Sequence, residues 1–125
     1  MKYLFCLCSA LVLTCNGFAA EAVQEQMVFI SGQFPINLTT GKLVQGSMQD
    51  LTNQTLANLT HDLHAHGCTL NDVVKTQIYL IDIRDYEAMN QAYVQHFHTL
   101  PAQDVIQVAG LQYGSRIEIS CIAVK

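Results

Sequence analysis

The sequence predicts an α+β domain in which two helices cover one face of a β-sheet. Two observations favour this class. Strand-like segments alternate with two segments that carry the apolar stripe of a helix, in the order β-β-(β)-α-β-α-β-β. The length of 125 residues, half of them hydrophobic, suits one domain with a substantial core.

The first half of the chain predicts a strand, a hairpin and a helix. Residues 27–34 are strand formers, and the proline, asparagine and glycine within 35–44 predict a turn or hairpin. Ser47 is a suitable helix N-cap with Asp50 in the capping-box position, and Gly67 marks the end of the helix. The apolar stripe of this helix consists of Met48, Leu51, Leu56, Leu59 and Leu63.

A strand and a second helix are predicted next. The strand covers residues 72–81, and the helix runs from an Asp82 cap to about His98, before Pro101. One face of the strand carries Val74, Thr76, Ile78 and Leu80. The stripe of the helix carries Tyr86, Met89, Tyr93 and Phe97.

Two further strands, over 104–111 and 116–125, complete the predicted sheet. In the last strand one face carries Ile117, Ile119, Cys121 and Ala123, and the other carries Glu118, Ser120 and Ile122. With both helices on one side, the second face of the sheet remains partly apolar. An uncovered apolar face on a small domain indicates a partner subunit.

Residues 1–19 are predicted to be a signal peptide, and residues 20–125 the folded domain. Lys2 precedes an apolar run from 3 to 15, and Gly17 and Ala19 fit the small-residue rule for cleavage after Ala19. The run is too short to span a membrane. We therefore expect an exported protein, periplasmic or secreted. The alternative is a cytoplasmic protein in which this segment is an apolar first strand.

Two cysteines, Cys68 and Cys121, remain after the predicted cleavage. A disulfide between them is possible in an oxidising compartment. We expect two separate buried small side chains instead, because Cys121 lies within an apolar strand pattern.

Charge and motifs exclude several functions. The formal net charge is −4 and no run of lysine or arginine occurs, which argues against binding to nucleic acid. Five histidines lie near the ends of the two helices, where the helix dipole favours them, and no metal site is expected from them. Neither a nucleophile motif nor a phosphate-binding glycine loop is present.

Polar residues beside the strand ends are the remaining candidates, and a resemblance connects them. The segments "VFISGQFPIN", "TGKLV", "LANL", "DVVKTQIYLIDIRDYEAMNQAY" and "IEISCIAVK" resemble the RidA/YjgF family of reactive-intermediate deaminases from about residue 17 to residue 125. The resemblance implies a chorismate-mutase-like α+β fold and a homotrimer whose sheets form a central barrel. It also implies hydrolysis of enamines and imines, such as 2-iminobutanoate, to 2-keto acids and ammonia, without a cofactor, in clefts between subunits.

The positions that the resemblance assigns to ligand binding and catalysis are only partly kept. Gly32 and Asn90 match the family. Gln103 stands where an arginine binds the substrate carboxylate, Ser120 where a glutamate helps to activate water, and Ala19 where a tyrosine lines the cleft. These five residues are the predicted ligand-binding set, and Gln103 and Ser120 occupy the catalytic positions.

Two neighbours of these positions affect the interpretation. Glu118 matches an earlier acidic residue of the family's last strand, and Asp104 is expected to add negative charge beside Gln103. Glutamine binds a carboxylate more weakly than arginine, and serine cannot take a proton from water at neutral pH.

Three hypotheses follow. In the first, deamination is lost or redirected and the cleft binds a small neutral or cationic metabolite. In the second, the protein is an active enamine or imine deaminase in which Arg84 or Arg116 compensates for the missing arginine. The third, a ribonuclease or translation inhibitor, is the least favoured because of the negative charge.

Overall fold

The computed structural model describes residues 25–125 and contains six main elements. The predicted signal peptide and Ala19 lie outside the described residues. The strands are β1 (Met27–Gln33), β2 (Val73–Leu80), β3 (Ala102–Gln107) and β4 (Ile117–Val124), and the helices are α1 (Met48–Ala65) and α2 (Tyr86–Tyr93).

The four strands form one mixed sheet in the order β1-β4-β2-β3. Strand β4 is antiparallel to both β1 and β2, whereas β2 and β3 are parallel and joined through α2. Both helices pack on the same face of the sheet around one hydrophobic core. The predicted α+β class and the two-helix layer are therefore confirmed.

Helix α1 agrees closely with its prediction. The Ser47 hydroxyl accepts a hydrogen bond from the Asp50 N–H, and the Asp50 carboxylate accepts one from the Ser47 N–H. Gly67 follows the helix with a φ of 72°, in the left-handed region that glycine adopts without strain. Every residue of the predicted apolar stripe is buried.

The predicted hairpin over 35–44 is reduced to a single bridge between Ile36 and Leu43. The Asn37 side chain accepts hydrogen bonds from the N–H groups of Thr39 and Thr40, and Gly41 has a φ of 70°. This compact turn leaves too few residues for a ladder. Within residues 25–125 the order of the main elements is therefore β-α-β-α-β-β, without the extra predicted strands.

The second helix is shorter than predicted. A 3₁₀ turn over Ile83–Asp85 precedes α2, because the Asp82 carboxylate accepts the Arg84 N–H, and another over Val94–His96 follows it. Tyr86 is 41% exposed and does not belong to the buried stripe. The α-helix begins at Tyr86, after one 3₁₀ turn, and the prediction that it begins directly after Asp82 is wrong.

Strand β2 contains an irregularity that changes its faces. Its pairing with β4 shifts between Val73 and Lys75, so Val73 is buried and Val74 is 48% exposed. The prediction that Val74 shares the buried face of the strand is therefore wrong. Strand β3 begins at Ala102, two residues before its predicted start, because its parallel pairing with β2 begins there.

The face of the sheet away from the helices, here termed the open face, is partly apolar as predicted. Met27 and Phe29 alternate with buried β1 residues and are 60% and 68% exposed. Ile106 pairs with Tyr79 on the same face and is 48% exposed. No helix described within residues 25–125 is long and apolar enough to cross a membrane.

Candidate functional site

Gly32, Glu118 and Ser120 lie together on the open face, where β1 and β4 pair. They line a depression of about 540 Å³ with Phe29, Tyr79 and Ile122 among their neighbours. Ser120 pairs with Gln77, and its neighbour Cys121 is buried on the helix-covered face. We call these three residues the first half-site.

The absence of a side chain at Gly32 makes room for Glu118. A Cβ atom at Gly32 would lie 2.6 Å from the Cδ and 2.8 Å from the Cγ of Glu118, far inside normal contact distance. Glu118 also lines a second depression of about 470 Å³, beside Gln33 and Tyr113. The Glu118 carboxyl group therefore lies between two cavities.

Partial burial raises the pKa of the Glu118 carboxyl group above its ordinary value. Desolvation by burial is the cause of the shift. Lys75 is the cation that lines the first depression, and it is paired with the Asp104 carboxylate. In both depressions Glu118 is the only acidic residue among the described lining residues. A partly desolvated carboxyl group that lines a depression is a candidate functional group.

Asn90 and Gln103 form a separate group at the β3 edge of the sheet, the second half-site. Gln103 pairs with Thr76, which is fully buried on the helix-covered face, and Asn90 lies on α2 above it. The Gln103 Nε2 lies 3.5 Å from the Asn90 Oδ1, at the limit of a hydrogen bond. Both side chains are half-buried.

One chain does not bring the two half-sites together. Ser120 and Gly32 lie on the open face near β1, whereas Gln103 and Asn90 lie on the other face near β3 at the opposite edge. The predicted residues therefore form two partial sites.

The structure corrects the expectation for Asp104. Strand alternation places Asp104 opposite Gln77, on the open face, whereas Gln103 lies on the helix-covered face. The Asp104 carboxylate lies 2.8 Å from the Lys75 Nζ and is paired there. Asp104 therefore does not leave an unpaired negative charge beside the Gln103 amide.

The two proposed compensating arginines are already paired. Arg84 binds the Asp82 carboxylate at 2.6 Å, and Arg116 binds the Asp85 carboxylate at 2.8 Å, at the start of α2. The Arg84 guanidinium holds the pKa of Asp82 at about 2. Within one chain neither arginine contacts Gln103 or Asn90.

Two of the histidines form hydrogen bonds within the domain, and both described cysteines are buried. His96 hydrogen-bonds to Asn53 at 2.8 Å, and the His66 ring to the Asp62 carbonyl at 2.9 Å. No cluster of three or more metal-ligating side chains occurs within residues 25–125. Cys68 and Cys121 are both buried and unbridged, as expected, and burial raises the pKa of the Cys121 thiol to about 12.

Sequence reasoning missed Tyr113. This residue has a φ of 63°, is 67% exposed, and packs edge-on against Phe34 with ring centroids 5.4 Å apart. It lines the second depression together with Asn58, whose amide donates to the carbonyls of Phe34 and Ile36. The Tyr113-Gly114 pair before the last strand was the available signal, since such positions favour turns.

Comparison with known proteins identifies the class of protein to which this fold belongs. The family model described as Endoribonuclease L-PSP matches residues 10–125. The 2-iminobutanoate/2-iminopropanoate deaminase of Mus musculus is 42% identical over 85% of this chain and 80% of its own length. The human protein of the same name is 37% identical over 86% of this chain and 80% of its own length.

Solved structures agree with the sequence comparison. A putative endoribonuclease from Thermotoga maritima superposes with a TM-score of 0.79 at 38% identity, covering 86% of each chain. The yjgF gene product of E. coli superposes with a TM-score of 0.75 at 29% identity, covering 90% of this chain and 91% of its own. This chain belongs to the Endoribonuclease L-PSP family, which is the RidA/YjgF family that the sequence resembles.

Proposed function

We propose that this protein is a homotrimer whose intersubunit cleft binds a small neutral or cationic metabolite, with deamination of 2-imino acids lost or redirected. The observation that carries the proposal is the replacement at the second half-site. By the sequence resemblance, Gln103 stands where the family arginine would bind a carboxylate, and its only side-chain partner within residues 25–125 is the neutral Asn90 amide.

The separation of the half-sites supports the trimer. Gly32 and Ser120 lie on the opposite side of the sheet from Asn90 and Gln103, so assembly is needed to join them. The exposed apolar side chains of the open face, including Phe29, supply the surface that such assembly would bury. In the trimer that family membership implies, these sheets face one another.

The chemistry of Gln103 supports the change in ligand. Arginine binds a carboxylate through two parallel charge-assisted hydrogen bonds, each about twice as strong as a neutral one. The glutamine amide provides only neutral bonds. Arg84 and Arg116 are the only arginines in the sequence, and within one chain both are paired with aspartates at the start of α2 rather than with the second half-site.

Active deamination is the second candidate, and one finding favours it. Relatives that share 42% and 37% identity with this chain are both named 2-iminobutanoate/2-iminopropanoate deaminase. Ribonuclease activity, which the family description names, has less support, because the formal net charge is −4.

A coupled assay tests the proposal. Threonine dehydratase generates 2-iminobutanoate in situ, and the rate of its conversion to 2-ketobutyrate is compared between this protein and the mouse relative. We expect little acceleration by this protein and a gain of activity in the Gln103→Arg, Ser120→Glu double variant. A wild-type rate equal to that of the mouse protein would contradict the proposal and favour the second candidate.

Sedimentation velocity tests the assembly. The wild-type protein is expected to sediment as a trimer. Phe29→Asp places a charge on the open face and is expected to shift the protein towards monomers, whereas Val94→Asp, at an exposed position in the 3₁₀ turn after α2, serves as a control. A wild-type monomer at micromolar concentration would contradict the trimer.

Export is part of the proposal. Intact-mass analysis of protein recovered from its native cells distinguishes the two cases, since cleavage after Ala19 removes residues 1–19. Retention of these residues would contradict export with cleavage.

A further inference from the structure

Ser120 leaves the first half-site without the glutamate that the family places there, but the half-site still contains a carboxyl group. Glu118 and Ser120 alternate with buried residues on β4, so both side chains lie on the open face. Two residues of strand separate their Cα atoms by about 7 Å, a distance that a glutamate side chain largely spans. Both residues line the same 540 Å³ depression.

The surroundings of Glu118 suit a base. Its carboxyl group occupies the space left by the missing side chain of Gly32 and lines both depressions. The other carboxylates near the sheet are engaged: Asp104 with Lys75, and Asp62 with the Gln33 amide at 2.8 Å. Lys75 is the only cation among the described residues lining the 540 Å³ depression, and it is paired with Asp104 rather than with Glu118.

We infer that Glu118 accepts the proton of the attacking water in this protein, in place of the glutamate that Ser120 replaces. This inference rests on the proposed function, since it assigns a role within the same cleft. In this assignment imine hydrolysis is retained but acts on different substrates. The substrates are imines that have no carboxylate beside the C=N carbon. Such substrates do not need the missing arginine.

Glu118 alone can carry each proton that is transferred during the hydrolysis. The water oxygen bonds to the imine carbon while one water proton passes to the Glu118 carboxylate, which transfers it to the nitrogen. Glu118 then takes the proton of the new hydroxyl group as the C–N bond breaks, and returns it to the departing nitrogen. For an imine whose nitrogen carries only hydrogen, the products are a carbonyl compound and ammonia.

A defined probe, 2-iminobutanoate, tests Glu118 once carboxylate binding is restored. We expect Gln103→Arg alone, with Ser120 unchanged, to gain 2-iminobutanoate hydrolysis. Adding Glu118→Gln to this variant is expected to lower kcat by about 10²–10⁴-fold. The KM, and the Kd for the product 2-ketobutyrate measured by calorimetry, are expected to remain within about twofold.

Two readouts separate a catalytic role from a structural one. The pH profile of kcat in Gln103→Arg is expected to fall on the acid side as Glu118 becomes protonated, and Glu118→Gln is expected to remove this limb. Glu118→Asp retains a carboxyl group and is expected to keep part of the activity. Glu25→Gln, the same chemical change at an exposed residue outside both depressions, is the control.

Three results would overturn the inference. One is a Gln103→Arg protein that is trimeric and folded but inactive, whether or not Ser120→Glu then activates it. Another is unchanged kcat in Gln103→Arg, Glu118→Gln, and a third is loss of activity in the Glu25→Gln control to the same extent. If the wild-type protein hydrolyses 2-iminobutanoate as fast as the mouse relative, the proposed function fails. The role of Glu118 is then tested independently by measuring kcat for Glu118→Gln in the wild-type background.

Discussion

Gly32→Ala is the substitution that most directly tests the arrangement of the first half-site. The new methyl carbon would lie 2.6 Å from the Glu118 Cδ, whereas carbon atoms in contact are ordinarily about 3.5–4.0 Å apart. The carboxyl group must therefore move by about 1 Å or more. All three nearest atoms belong to the Glu118 side chain beyond its Cβ, so this side chain can rotate away without moving the backbone.

The expected effects on pKa and stability differ. Rotation towards solvent removes the desolvation that raises the pKa of Glu118, so this pKa is expected to fall towards its ordinary value. The free energy of unfolding is expected to change by less than about 1 kcal/mol, because only a flexible side chain is displaced. Carbon-13 NMR titration of the glutamate carboxyl groups and urea denaturation measure the two quantities.

Gly41→Ala is the matched control. Gly41 has no atom within 4 Å of an added Cβ but has a φ of 70°, so alanine there is strained by its backbone conformation. We expect a loss of about 1–2 kcal/mol with no change in the pKa of Glu118. An unchanged pKa of Glu118 in Gly32→Ala would refute the placement of the carboxyl group against Gly32.

Three further predictions concern the scaffold. Tyr93→Phe removes the partner of the buried Thr76 hydroxyl, 2.7 Å away, and is expected to cost about 1–3 kcal/mol in urea denaturation, with Thr76→Val in the same protein restoring part of the loss. Ser47→Ala removes the N-cap of α1 and is expected to lower the free energy of unfolding by about 1 kcal/mol. Because Arg84 lowers the pKa of Asp82 to about 2, the contribution of this pair is fully present above the unfolded-state pKa and disappears as pH falls from about 4 to about 2. Asp82→Asn should therefore reduce the acid dependence of the urea midpoint over that range, and an unaltered dependence would show that the pair is not maintained in solution.

Helices and strands with a regular repeat of hydrophobic residues could be predicted from the sequence. Helix α1 has both a capping box and a full apolar stripe, and the alternation of β4 assigns each of its side chains to the correct face. Strand β2 was predicted less well, because its pairing with β4 shifts between Val73 and Lys75. Simple alternation along the sequence does not reveal such a shift. Helix α2 differs because Asp82 stabilises a 3₁₀ turn in preference to a first α-helical turn.

The sequence predicted which residues are candidates, but not that they lie in two groups on opposite faces of the sheet. Whether Gln103 faces the helices depends on its register with Thr76 in a neighbouring strand, and the sequence of β3 alone is too irregular to fix this. The contact between Gly32 and Glu118 depends on β1 pairing with β4, which are the first and last strands of the chain. Register between distant strands follows from the whole sheet rather than from either segment.

The register of β3 also determines what a restored arginine would meet. Gln103 and Asp104 are adjacent in the chain, and sequence reasoning treated them as one electrostatic unit. In the sheet they lie on opposite faces, and the Asp104 charge is paired with Lys75. An arginine at position 103 would therefore have Asn90 as its nearest partner and would not be neutralised by Asp104. For this reason we expect the single substitution Gln103→Arg to be sufficient to recover carboxylate binding, with Asp104 left in place.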